Sequence, residues 1–152
     1  MHTEIHFDFI SIRDERLHRL PQILIVDDHE FTRRAVRTLL EENGRWEVCG
    51  EASDGEEAVE TAKRLQPDLI VMDFKMPRLN GLQVAARISR DVPQSRVLIC
   101  TLHHTRELSR WTEDLGLWGV VDKQDAGYEL PEAVAAVLHG DRYFGPERED
   151  TG

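Results

Sequence analysis

The chain has 152 residues, enough for one domain with little left over, and 40% of them are hydrophobic, enough for a sizeable single core. Nineteen basic against 29 acidic residues give a net charge of −10, which lacks the basic footprint of a nucleic-acid binder and suits cations and basic partners instead. No apolar run is long enough to span a bilayer, the acidic N-terminus is not a signal peptide, and the two cysteines, Cys49 and Cys100, suggest neither a disulfide framework nor a zinc site, so a cytoplasmic protein is expected.

Residues 1–20 differ from the rest. Ile5, Phe7 and Phe9 alternate with polar residues like a short strand, and a charged stretch from Ser11 to Arg19 follows, closed by Pro21. This extension reads as a docking arm, an extra edge strand or a disordered leader. From Gln22 the pattern is regular. Ile23 to Val26 is a continuous apolar run, as in a strand buried on both faces. Phe31, Ala35, Val36, Leu39 and Leu40 recur at helical spacing until Asn43-Gly44. Trp46 to Gly50 reads as a second strand, and Ser53 to Glu56 as a capping box for a helix bearing Ala58, Val59, Ala62 and Leu65. Leu69 to Met72 is a third buried strand running into Asp73. Asn80-Gly81 leads into a helix with Leu82, Val84, Ala85 and Ile88, and Val97 to Cys100 is a fourth strand ending at Thr101. Leu108, Trp111 and Leu115 mark a fourth helix. Leu117 to Val121 is a fifth strand ending near Lys123, and Leu130, Ala133, Val134, Val137 and Leu138 form the last helix, ended by Gly140.

Five strands alternating with five helices imply an α/β fold: a doubly wound, five-stranded parallel sheet covered on both faces. Ligands of such sheets bind beyond the carboxyl ends of the strands. Those ends carry Asp27-Asp28, Asp73, Thr101 and Lys123. Singly, each reads as a turn residue, a cap or a solvated side chain. Together they form a site: crowded carboxylates call for a cation, oxygen donors without a His/Cys cluster suit Mg²⁺, and a carboxylate beside such an ion can take up a phosphoryl group. Lys123 would add positive charge and the Thr101 hydroxyl a hydrogen bond.

With these residues, with Lys75-Met76-Pro77 after Asp73, with Asn80-Gly81 and with the turn Asp54 to Ala58, the sequence resembles a receiver domain of bacterial two-component response regulators over residues 21–141. Thr101-Leu102-His103 and the stretch Gly140 to Glu147 resemble the NarL/FixJ-type subgroup. The resemblance implies the flavodoxin-like receiver fold with strand order 2-1-3-4-5. Residues 21–143 would be the receiver, 1–20 an extension and 144–152 a frayed tail. It implies that Asp73 accepts a phosphoryl group from a sensor histidine kinase or phosphotransfer protein. Asp27, Asp28, Asp73 and the backbone carbonyl of Lys75 would bind Mg²⁺, Lys123 would pair with the phosphoryl group, and Thr101 would move to contact it. The implied protein is a signalling domain, not an enzyme, and catalyses only its own phosphorylation and dephosphorylation. A homodimer is compatible with this; membrane or nucleic-acid binding through this chain is not expected.

Two departures stand out. The family carries Tyr or Phe three residues before the lysine, where this chain has Val120. Strand alternation would put Trp118 on the same face as Val120, as a candidate substitute for that aromatic; simple packing against the fourth helix beside Trp111 is the preferred reading. The chain ends at Gly152 without the helix-turn-helix usual in the subgroup, so a stand-alone receiver and the receiver half of a DNA-binding regulator are both open. A non-phosphorylated pseudo-receiver scaffold is a further alternative. An aspartyl phosphohydrolase is disfavoured, because the second acid it would need two residues after Asp73 is Lys75. His29 is expected to begin the first helix at the surface, His103 and His104 to lie in the loop above Thr101, and Arg33, Arg34 and Arg37 to form a solvated basic face. Kinase docking through that helix and Phe31 is implied by the family alone.

Overall fold

A computed structural model of the chain describes residues 19–75, 80–102 and 104–147. The expected N-terminal strand and most of the charged stretch after it fall outside these, as do Met76 and Pro77 of the loop after Asp73, and His103. In chain order the elements are β1 (Gln22–Val26), α1 (Glu30–Glu41), β2 (Glu47–Ala52), α2 (Gly55–Leu65), β3 (Leu69–Met72), α3 (Gly81–Asp91), β4 (Arg96–Thr101), α4 (Arg106–Asp114), β5 (Gly119–Asp122), a single 3₁₀ turn (Lys123–Asp125), α5 (Ala126–His139) and β6 (Tyr143–Phe144).

The sheet is parallel throughout, in the order β2-β1-β3-β4-β5-β6. The receiver order is therefore present with a sixth, two-residue strand added at the β5 edge. That strand takes in Phe144, the first residue of the expected frayed tail, because the exposed edge of β5 offers unpaired backbone groups that the returning chain can satisfy. The two faces of the sheet bury separate apolar layers. On one, Leu24, Val26, Ile70, Met72, Val97 and Ile99 meet α2, α3 and Leu108 of α4. On the other, Ile23, Ile25, Val71, Leu98 and Cys100 meet Val36 and Leu40 of α1 and the apolar side of α5. Strands buried on both faces have no use for alternating polar residues, which is why their sequences are unbroken apolar runs.

Local chemistry fixes the helix starts. Asp54 accepts the Glu57 amide at 2.8 Å while Glu57 reaches back to the Ser53 amide at 3.1 Å. The capping box is thus Asp54…Glu57, one residue later than expected. Asn80 caps α3 through the Leu82 amide, and Thr105 caps α4 through the Leu108 amide. Gly81 is required where it stands: a Cβ there would lie 2.5 Å from the Phe74 carbonyl oxygen, the group that accepts the Gly81 amide and closes the loop after Asp73. No helix among the described residues is long and apolar enough to cross a membrane.

Candidate functional site

β1 and β3 are neighbours, and both stop where their apolar runs meet acids. Strand order reverses here, since β2 lies on the far side of β1 and β4 beyond β3, so a crevice opens at the carboxyl ends. Asp27 and Asp73 sit in it nearly buried, at 4% and 7% exposure. Two buried carboxylates side by side would repel, and a cation from β5 resolves this. Lys123 Nζ donates to Asp27 Oδ2 at 2.6 Å and to Asp73 Oδ2 at 2.8 Å. Burial pulls this ammonium down, but its hydrogen bonds to both carboxylates, and their charge, outweigh it and hold Lys123 above its ordinary value.

The remaining carboxylate oxygens are held locally. Asp73 Oδ1 accepts the Lys75 amide at 3.1 Å, and Asp27 Oδ1 accepts the His29 amide at 2.9 Å. The Asp27 carbonyl accepts from Arg33 at 2.8 Å. Arg33 and Arg37 also pair with Glu51 of β2 at 3.1 and 3.0 Å. Two of the three arginines expected to form a solvated face are therefore used to pin α1 to the sheet. Thr101 is buried at the end of β4. A groove of about 830 Å³ joins Asp73, Lys75, Thr101 and Lys123 to His29 and to the apolar side of α1.

The donor chemistry fits a hard divalent cation. Asp27, Asp28 and His29 offer ligand atoms all within 4.8 Å of one another. Asp28 Oδ1 is buried and accepts no hydrogen bond of good geometry, although His29 Nδ1 stands 3.0 Å away. A buried carboxylate oxygen without a donor is costly, and a cation would satisfy it. His29 starts α1 at the surface as expected, yet its ring also faces both acids, at 3.4 Å from Asp27 and 3.0 Å from Asp28. Its position immediately after the acidic pair was the signal available in the sequence.

The β4–α4 loop and the β5 edge depart from expectation. His104 is fully buried and its Nε2 lies 2.8 Å from Ser109 Oγ. Burial pulls His104 down from its ordinary value, against the raising effect of Glu147, Asp122 and the Pro146 carbonyl. Trp118 does not share a face with Val120. It packs with the α5-side layer, with the guanidinium groups of Arg96 and Arg142 over its ring at 4.4 and 5.0 Å from the centre, while Val120 lies in the opposite layer with Leu108 and Phe144. β5 begins only at Gly119, so strand alternation does not extend back to residue 118.

Residues 23–135 match the family described as the response regulator receiver domain. Among curated proteins, the response regulator UvrY of Escherichia coli (strain K12) is 33% identical over 125 residues, covering 82% of this chain and 57% of UvrY. The chain thus spans little more than half the length of that relative. Among solved structures, a two-component response regulator of the LuxR family from Aurantimonas sp. SI85-9A1 superposes with a TM-score of 0.78 at 31% identity, covering 82% of this chain and 89% of that one. The signal receiver domain of a response regulator NarL from Mycobacterium tuberculosis gives a TM-score of 0.74 at 31% identity, covering 80% and 98%. These neighbours agree with the NarL-type subgroup that the sequence resembles.

Proposed function

The chain belongs to the response regulator receiver family, and on that premise we propose that it is a phosphoacceptor switch in two-component signalling, with Asp73 as the acceptor. The observation that carries this reading is the buried pair of carboxylates, Asp27 and Asp73, bridged by one ammonium group at 2.6 and 2.8 Å. Such an arrangement is expensive to build and contributes little to stability over an apolar substitute. It places a reactive carboxylate in a crevice beside a fixed positive charge.

In the proposed reaction a carboxylate oxygen of Asp73 attacks the phosphorus of a phosphohistidine on a sensor kinase or phosphotransfer protein. The new O–P bond forms as the P–N bond breaks, and the electron pair leaves with the imidazole. Lys123 transfers its contact from Asp73 to the phosphoryl oxygens, and Thr101 supplies a hydroxyl donor. Asp27, Asp28, Asp73 and the Lys75 carbonyl would hold Mg²⁺, which when bound neutralises charge on the phosphoryl oxygens. Phe31, 85% exposed on α1 at the mouth of the groove, is a suitable contact for the kinase. The chain acts only on its own acyl phosphate and works in the cytoplasm with its kinase.

The test is intact-mass measurement after incubation with acetyl phosphate and Mg²⁺. A gain of one phosphoryl group, stable to acid, labile to base and lost with EDTA or in Asp73→Asn, is the expected result. No gain in the wild type would favour a pseudo-receiver scaffold. A second reading is favoured by the extent of the match, which covers only 57% of UvrY: the receiver would then govern an attached output domain, a DNA-binding one in the NarL/FixJ-type subgroup. A natural gene product heavier than 17.5 kDa would support it.

A further inference from the structure

The segment from Tyr143 to Glu147 is built into the fold as a strap across the β5 edge. The Tyr143 amide donates to the Trp118 carbonyl at 2.9 Å and the Gly145 amide to the Val120 carbonyl at 3.0 Å. Between them, Phe144 is the register partner of Val120. Gly119 makes the approach feasible, since a Cβ there would overlap the Tyr143 carbonyl oxygen. The strap is held from α5 as well, where the Tyr143 hydroxyl lies 3.2 Å from Glu129 Oε1.

Its far end reaches the loop that follows Thr101. The buried His104 ring stands beside the Pro146 carbonyl, and Arg106 at the start of α4 pairs with Glu147 at 3.5 Å. Thr101 belongs to the same layer: Val97 and Ile99 of β4 face α2, α3 and Leu108, and alternation places Thr101 with them. Val120 pairs with Ile99, two residues before Thr101, and Phe144 packs against that layer from the strap. The chain thus has an aromatic ring beside the position where β5 carries only valine, delivered by another strand.

We propose that Phe144 is a positioning residue through which the strap reads the phosphorylation state of Asp73. The inference rests on Asp73 being the phosphoacceptor. When Thr101 is drawn toward a phosphoryl group, Leu102 and His104 follow it, the backing beside Pro146 withdraws, and Phe144 loses its fixed seat against Val120. The strap then loosens from β5 and exposes its edge. A strap that merely capped the sheet would be indifferent to chemistry at Asp73.

Hydrogen exchange resolved by peptide mass spectrometry, with intact mass taken on the same samples, distinguishes the outcomes. In a sample shown by mass to be phosphorylated, exchange at the Tyr143 and Gly145 amides should quicken at least tenfold, and the Asp73→Asn protein under the same reagents should show no change. Phe144→Ala should still gain the phosphoryl group while the difference between its two states shrinks below twofold. Phe144→Leu, which keeps an apolar side chain, should recover part of it and guards against simple loss of the strap in the alanine variant. A phosphorylated wild type with unchanged or slowed strap exchange overturns the inference and leaves the phosphoacceptor reading intact, as does a full difference in both Phe144 variants. Absence of any mass gain overturns both.

Discussion

Replacing Gly119 by alanine tests the packing of the β5 edge. The new methyl would overlap the Tyr143 carbonyl oxygen, stand 2.8 Å from its carbon, and lie 3.1 Å from Leu98 Cδ1 in the core. Backbone on one side and a fully buried leucine on the other leave one cheap response: β6 peels away. Peeling forfeits the two backbone hydrogen bonds from Tyr143 and Gly145, at about 1 kcal/mol each, and the partial burial of Phe144, on the order of 1 kcal/mol. The lower backbone entropy of alanine in the unfolded chain offsets roughly 0.5 kcal/mol. The net destabilisation is therefore about 2–3 kcal/mol, capped at what the strap contributes. Urea unfolding followed by tryptophan fluorescence measures it, with Gly127→Ala as the control. No atom lies within 4 Å of a Cβ at Gly127 in α5, and a gain of about 0.5–1 kcal/mol is expected there. Equal midpoints for Gly119→Ala and wild type would refute the packing of β6 on β5.

Lys123→Met should destabilise the protein by about 3–5 kcal/mol, because it leaves Asp27 and Asp73 buried without their shared cation. Mg²⁺ should restore more stability to this variant than to the wild type in thermal unfolding, and equal responses would contradict the cation site. Cys100 is buried and its thiol is pushed up to about 12 by desolvation, so at pH 8 Ellman's reagent should modify the half-exposed Cys49 first and Cys100 only on unfolding. Burial, then the charge of Glu129, raises Tyr143 to about 12 from an ordinary 10.0. The unfolded chain thus loses this proton first as pH rises, so stability should fall between about pH 10 and 12, and Tyr143→Phe should remove that slope from alkaline urea titrations.

Much of this was legible in the sequence because burial leaves a strong trace. Four unbroken apolar runs, each ended by an acid or a hydroxyl residue, identify strands covered on both faces and name the side chains at their carboxyl ends. Asp27, Asp73 and Thr101 could be gathered from that alone, and Lys123 from its place one residue beyond the acid that ends the fourth run, since the order of a doubly wound sheet brings those ends together. What escaped depends on edges and on partners distant in sequence. β6 has two residues, too few for any period, and exists only because β5 has a free edge. Alternation misplaces Trp118 because it stands one residue before the strand begins. Arg33 and Arg37 looked solvated because Glu51, which binds both, lies on another element. The fully buried His104 reads in the sequence as an ordinary loop histidine, for its environment is assembled from α4 and the strap.

The claim that Asp73 is the acceptor is tested most directly by chemical trapping. Borohydride reduces an aspartyl phosphate to homoserine and leaves free carboxylates untouched, so peptide mass spectrometry after treatment with Mg²⁺, acetyl phosphate and borohydride locates the modified residue. Homoserine at position 73, and at neither Asp27 nor Asp28, is the expected result. Homoserine at either of those positions with an unmodified Asp73, or none anywhere, would contradict it.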